Sequence, residues 1–131
     1  MSYKINDQEF AAVSRLPAKE RYGHFIKRVA DWQEVWGLRD DEGWVAVGDD
    51  EGRSCFPVWP HPRYAEALAT GDWSIYRAAA IPLGEWLDDW LPGMEEDDVH
   101  VAVFPTPSLQ GVVVSCAELR AHLEHELALY E

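Results

Sequence analysis

Cysteine is scarce in this chain: Cys55 and Cys116 are its only two, and they lie far apart. Two such residues cannot make a disulfide framework, and their spacing fits no metal or redox motif. They read as reduced thiols in a cytoplasm, packed as small hydrophobes. Long apolar runs are also missing. Nothing approaches the roughly 18 consecutive apolar residues of a membrane helix, and the opening Met1–Asp7 has no apolar core for a secretory signal. No glycine-rich loop of the phosphate-cradling kind occurs, so nucleotide chemistry has no support. Basic residues are few, 11 against 24 acids, for a net charge of −13.

The deficit is uneven. Six basic residues (Lys4, Arg15, Lys19, Arg21, Lys27, Arg28) fall in the first thirty positions, against Asp7, Glu9 and Glu20. The rest of the chain holds five bases and 21 acids. A surface of that sign repels polyanions, which argues against nucleic acid and against anionic membranes. It suits solubility, or a basic protein partner.

Core material is ample: 131 residues, 47% of them hydrophobic, with seven tryptophans. That is enough for one domain over residues 1–131 with a real interior. Asn6 with Glu9 makes a capping box for a first helix ending near Leu16, and Pro17 starts a second, about Ala18 to Ala30. Tyr22, Phe25, Ile26 and Val29 recur at helical spacing. Three strands are expected next, Glu34–Leu38, Trp44–Val47 and Arg53–Val58, joined by acidic turns and read as an antiparallel meander. Those turns lack the alternating ligands and closing glutamate of a calcium loop.

A short helix, Arg63 to Ala69, and a strand within Trp73–Ile81 follow. Leu83, Trp86, Leu87, Trp90 and Leu91 then mark a helical stripe that Pro92-Gly93 is expected to end. Val99–Phe104 and Gly111–Val114 read as a hairpin. Ser115 caps a last helix whose apolar face is Leu119, Leu123, Leu127 and Tyr130. The fold class is α+β: a single two-layer domain with a mainly antiparallel sheet of about five to six strands, helices around it, in the order ααβββαβαββα.

The densest segment runs from Cys55 to Ala65, with three prolines, several aromatics, His61 and Arg63. Trp59, His61, Arg63 and Tyr64 are the candidate binding residues. His61 and Pro60 are poor helix caps by residue type. The amides at the start of the following helix would therefore face a carboxylate or other small anion, from a ligand, a partner or this chain itself. No catalytic residue, metal or cofactor is assigned. His122 and His125 with Glu118 match neither His-Glu-x-x-His nor His-x-x-Glu-His, and read as solvated helix-surface side chains.

Four segments also carry a family resemblance: Phe25–Asp31, Glu34–Leu38, Pro57-Val58-Trp59-Pro60-His61-Pro62 and Val101–Pro107. The chain resembles the small bacterial proteins grouped as domain of unknown function 2750, over nearly its whole length. The resemblance implies a bacterial, cytoplasmic, stand-alone α+β domain and carries over no catalytic residues. From Trp44 onward the order of elements is also similar to SseB-type domains of bacterial secretion and toxin-immunity systems, without their asparagine-proline segment.

The leading expectation is a non-catalytic, acidic protein-interaction or ligand-binding domain, monomeric or homodimeric. The alternatives are a small hydrolase-like enzyme using His61 with nearby carboxylates, and a self-associating structural domain.

Overall fold

The computed structural model describes residues 4–48, 51–107 and 111–129. Asp49 and Asp50 of the second acidic turn, residues 108–110 of the hairpin loop and Tyr130 of the last apolar face lie outside them. Helix α1, Asp7–Ser14, begins where Asn6 Oδ1 accepts the Glu9 N–H at 2.7 Å. That bond satisfies one of the amides a helix start leaves unpaired. Helix α2, Ala18–Trp32, stops at Gln33 in the left-handed region (φ 61), whose N–H reaches the Val29 carbonyl. It buries Phe25, Ile26, Val29 and Ala30, and with them Arg21.

The remaining elements follow in order. They are β1 (Glu34–Arg39), β2 (Val47–Gly48), β3 (Ser54–Val58), α3 (Pro62–Glu66), a 3₁₀ turn (Gly71–Trp73) and β4 (Arg77–Pro82). Helix α4 is continuous through Leu83–Glu85, Trp86–Trp90 and Leu91–Glu96, and β5 (His100–Val103), β6 (Val112–Val114) and α5 (Cys116–Ala128) complete the chain. The fold is α+β, in the order the sequence predicts. Ser115 Oγ caps α5 by accepting the Glu118 N–H.

The strands form a four-stranded sheet, β2-β3-β5-β6, and a two-stranded one, β1-β4. All pairs are antiparallel except β3 with β5. The expected meander is therefore corrected: β1 pairs with β4 along its length and, among the described residues, is bridged to the β3 side at Trp36–Trp59. The expected strand at Trp44–Val47 shrinks to Val47–Gly48. The cause is Pro57. Val47 lies opposite Cys55, which puts Val45 in register with Pro57, and proline has no N–H for that rung. The chain leaves the ladder there, and Val45 donates instead to the Leu38 carbonyl at 2.8 Å.

Two other boundaries move. Helix α3 ends at Glu66 rather than Ala69, giving way to tight turns. Helix α4 runs past Pro92-Gly93 to Glu96. Trp86–Trp90 widens into a π turn in which the Leu91 N–H reaches back to Trp86. The widened turn carries the chain past a proline that can neither donate nor fit an ordinary turn.

One face of the larger sheet (Phe56, Val58, Val101, Val103, Val114) joins the buried core with Phe25, Val29, Trp86, Leu119 and Leu123. Period-two alternation sends Cys55, Pro57, Ala102 and Val113 to the opposite face. The register aligns Pro57, Ala102 and Val113 in one row, with Cys55 beside Val47. That row is the floor of the site described next. No described helix is long and apolar enough to cross a membrane.

Candidate functional site

The four residues of the proline corner come together, and their side chains make internal contacts. Trp59 is fully buried. It exchanges two main-chain hydrogen bonds with Trp36, and its Nε1 donates to the Pro105 carbonyl at 2.8 Å. Tyr64, 2% exposed, packs its ring 4.7 Å from Phe104 and 5.3 Å from Phe10. Arg63 pairs with the Asp7 carboxylate and lays its guanidinium over Phe10. His61 differs from its reading as a poor cap: its Nδ1 accepts the Arg63 N–H at 3.1 Å and opens α3. With that lone pair engaged, the neutral ring carries its proton on Nε2 and is a donor there. Nδ1 then has no free pair to take a proton from a substrate.

The corner thus ties α1, β1, β3 and the Phe104–Pro107 segment together. Arg21 completes the joint. Only 1% exposed, it donates from Nε to the Phe104 carbonyl at 3.1 Å and from Nη1 to the Leu16 carbonyl at 2.7 Å. Burial holds its pKa below the usual arginine value. Phe104 itself has φ 58, a left-handed conformation that is strained for an aromatic residue. Trp59, Arg21 and the Phe104 amide, which donates to Val58, hold the strained turn in place.

Beside this joint the free sheet face is hollowed into a cavity of about 330 Å³. Small side chains make the floor: Cys55, Pro57, Ala102 and Val113. Leu68 and Trp73, from the turns after α3, line it as well, as do Pro105 and Gly111. Glu51 and Arg53 line it too, paired at 3.4 Å with much of both side chains in solvent. The volume lies within the range of small-molecule sites, and an apolar interior with few polar groups is their usual chemistry. The sequence reading missed this site. Its floor is assembled by register across β2, β3, β5 and β6, and no local pattern announces that.

A second, shallower concavity of about 280 Å³ runs along the outer side of α4, lined by Asp89, Trp90, Gly93, Met94 and Asp97. Trp90 is oriented by a hydrogen bond from its Nε1 to Glu85 and by ring contacts with Trp44, Phe56 and Trp86. Asp88, Asp89, Glu95, Glu96, Asp97 and Asp98 are exposed. Among the described residues none of them is in an ion pair.

Among the described residues, no cluster of three or more histidine, cysteine, aspartate or glutamate side chains is placed to hold a metal. His122 is exposed, and its Nδ1 lies 2.5 Å from the Tyr22 hydroxyl. Burial, with the nearby Glu118 charge, pushes the Tyr22 hydroxyl up to about 12. Cys116 is buried and donates to the Val99 carbonyl; burial, then the Glu95 charge, raises it to about 11. Such a thiol is inert at neutral pH. Burial, then Arg28, lowers His24 to about 4.

The fold is thus that of a small α+β protein with one sheet face packed and the other hollowed. The chain belongs to the family described as protein of unknown function, DUF2750, whose model matches residues 22–123. No curated protein matches it. Among solved structures, the Anabaena Tic22 (protein transport) is similar at 15% identity and a TM-score of 0.40. That match covers 65% of this chain and 47% of the Tic22 chain.

Proposed function

We propose that this protein is a non-catalytic ligand-binding domain whose site is the sheet-face cavity. The observation that carries the reading is the combination of about 330 Å³ of apolar-floored space with a charged pair among its lining residues. Pockets of this composition hold small ligands by burying an apolar body and fixing it with a few polar contacts. No histidine is among the lining residues, and His61 has its Nδ1 committed to an amide. Both facts favour binding over proton-transfer chemistry. The two free, buried thiols suit a reducing cytoplasm.

The test is an amide-resolved NMR titration with 3-phenylpropionate, an apolar probe small enough for the cavity. Shifts should concentrate at Val47, Cys55, Ala102 and Val113, and Val113→Phe, which fills the cavity from the sheet edge, should abolish them. Shifts scattered over the surface, or unchanged in Val113→Phe, would sink the reading.

A second reading concerns partners. The unpaired acids of α4 around the Trp90 groove suit a basic protein segment, an arginine or lysine lying over the indole between Asp89 and Asp97. Binding of a Lys/Arg-rich peptide should weaken steeply with salt and fall in an Asp89→Asn, Asp97→Asn variant. Capture that ignores both would remove this surface from consideration.

A further inference from the structure

Strand β4 is the outer member of the β1-β4 pair, and the direction of its hydrogen-bonding groups can be read from β1. Trp36 exchanges both main-chain bonds with Trp59, and the Leu38 carbonyl accepts from Val45, so these residues of β1 face away from β4. Their register partners are Ala80 and Ala78. In an antiparallel ladder such a pair is not hydrogen-bonded, and its far member turns N–H and carbonyl to the outside. The bond from the Leu83 N–H to the Gln33 carbonyl fits the same phase. Ala78 and Ala80 therefore present both main-chain groups at the free edge. Among the described residues nothing is bonded to those groups; Ala80 is exposed and Ala78 half-buried. The strand's charged side chain, Arg77, is paired with Asp41 of the same chain, and the alanines set no steric barrier to a neighbouring strand.

We propose that β4 pairs with β4 of a second copy, antiparallel about a twofold axis at Ala79. Ala78 of one copy then lies opposite Ala80 of the other, and each donates to and accepts from its counterpart, so every open N–H meets an open carbonyl. Neighbouring registers fail. Centring on Ala80 sets Ala78 opposite Pro82, which has no N–H to give. Centring on Ala78 sets Ala80 opposite Tyr76, whose N–H is already taken by the Trp73 carbonyl. The open residues between two closed ends are thus their own complement, which favours a second copy over an arbitrary strand. The same register brings Ile75, 66% exposed, beside Pro82 of the second copy and covers apolar surface there. Each copy carries −13, so association is opposed at low salt and tightens as salt screens the repulsion.

Sedimentation from micromolar to millimolar protein, at low and high salt, tests this on wild type, Ala80→Pro and Ala80→Val, with circular dichroism to verify folding. Ala80→Pro removes an N–H that has no partner within the chain, at an edge position where proline is tolerated. It should weaken self-association at least about thirtyfold, since two symmetry-related bonds go and the carbonyls opposite lose their donors. Ala80→Val keeps the N–H and should associate as wild type does. Should Ala80→Pro not fold, Ala79→Cys decides by itself. It sets two thiols across the axis at disulfide reach, so mild oxidation should link the dimer, whereas Arg77→Cys, opposite Ile81, should not link. A wild type that stays monomeric at millimolar protein in high salt overturns the proposal and leaves the edge to a strand of a different protein. A dimer that Ala80→Pro leaves intact, or that Ala79→Cys does not link, overturns it as well.

Discussion

Arg21 shows how one side chain can hold a fold together. Its guanidinium is the buried donor for two carbonyls from distant parts of the chain, Leu16 and Phe104. A buried carbonyl left without a donor costs about 1–3 kcal/mol. Arg21→Met should therefore lower unfolding free energy by about 2–3 kcal/mol in urea titration, although it adds an apolar side chain to the interior. Arg21→Lys should recover only part of the loss, because one ammonium cannot reproduce the two-armed geometry. A neutral Arg21→Met would show that the two carbonyls find other donors. Pro57 has similar reach through an absence: lacking an N–H, it ends the β2–β3 ladder and lets the chain turn toward β1.

At the level of elements, the β5–β6 hairpin and helix α4 make opposite demands on glycine. A Cβ at Gly111 would sit 2.6 Å from the Val103 carbonyl oxygen and 3.0 Å from the Pro105 nitrogen, both main-chain atoms. Gly111→Ala must therefore move the hairpin, with an expected loss of about 1–3 kcal/mol and altered binding in the adjoining cavity. At Gly93, inside α4, a Cβ meets nothing. Gly93→Ala should be neutral or stabilise by up to about 1 kcal/mol, the difference in helix propensity. Thermal unfolding of the two variants side by side checks both. A harmless Gly111→Ala would mean that the hairpin has slack these close approaches do not show.

For the whole molecule, charge and pH set the stability. With a net charge of −13, the folded state repels itself, and moderate salt should raise the melting temperature by screening. His24 adds a pH term. Its folded-state pKa lies near 4, below its ordinary 6.5, so the unfolded chain takes up the proton first as pH falls. Its contribution is complete above about pH 6.5 and is lost as pH drops toward 4. The ring is only partly buried, so solvent screening discounts the loss to about 1–2 kcal/mol. Denaturant midpoints measured across that range should fall less in His24→Gln than in wild type, and equal slopes would refute this assignment.

Capping residues, helical stripes and turn clusters are local signals. Asn6, Ser115 and the stripe from Leu83 to Leu91 were therefore readable one residue after another, and with them the α+β class and the order of its elements. Strand partners were not, because pairing is chosen by neighbours distant in sequence. The parallel match of β3 with β5 and the union of β1 with β4 belong to the tertiary structure. The corner at Trp59, His61, Arg63 and Tyr64 was visible as an unusual run of residue types. That its rings face inward, and that Asp7 supplies the acid for Arg63, depended on how α1 packs. The cavity was wholly a tertiary product. Cys55, Ala102 and Val113 are unremarkable in sequence, and only the register of the four strands, with the turns carrying Leu68 and Trp73 folded beside them, makes a site of them.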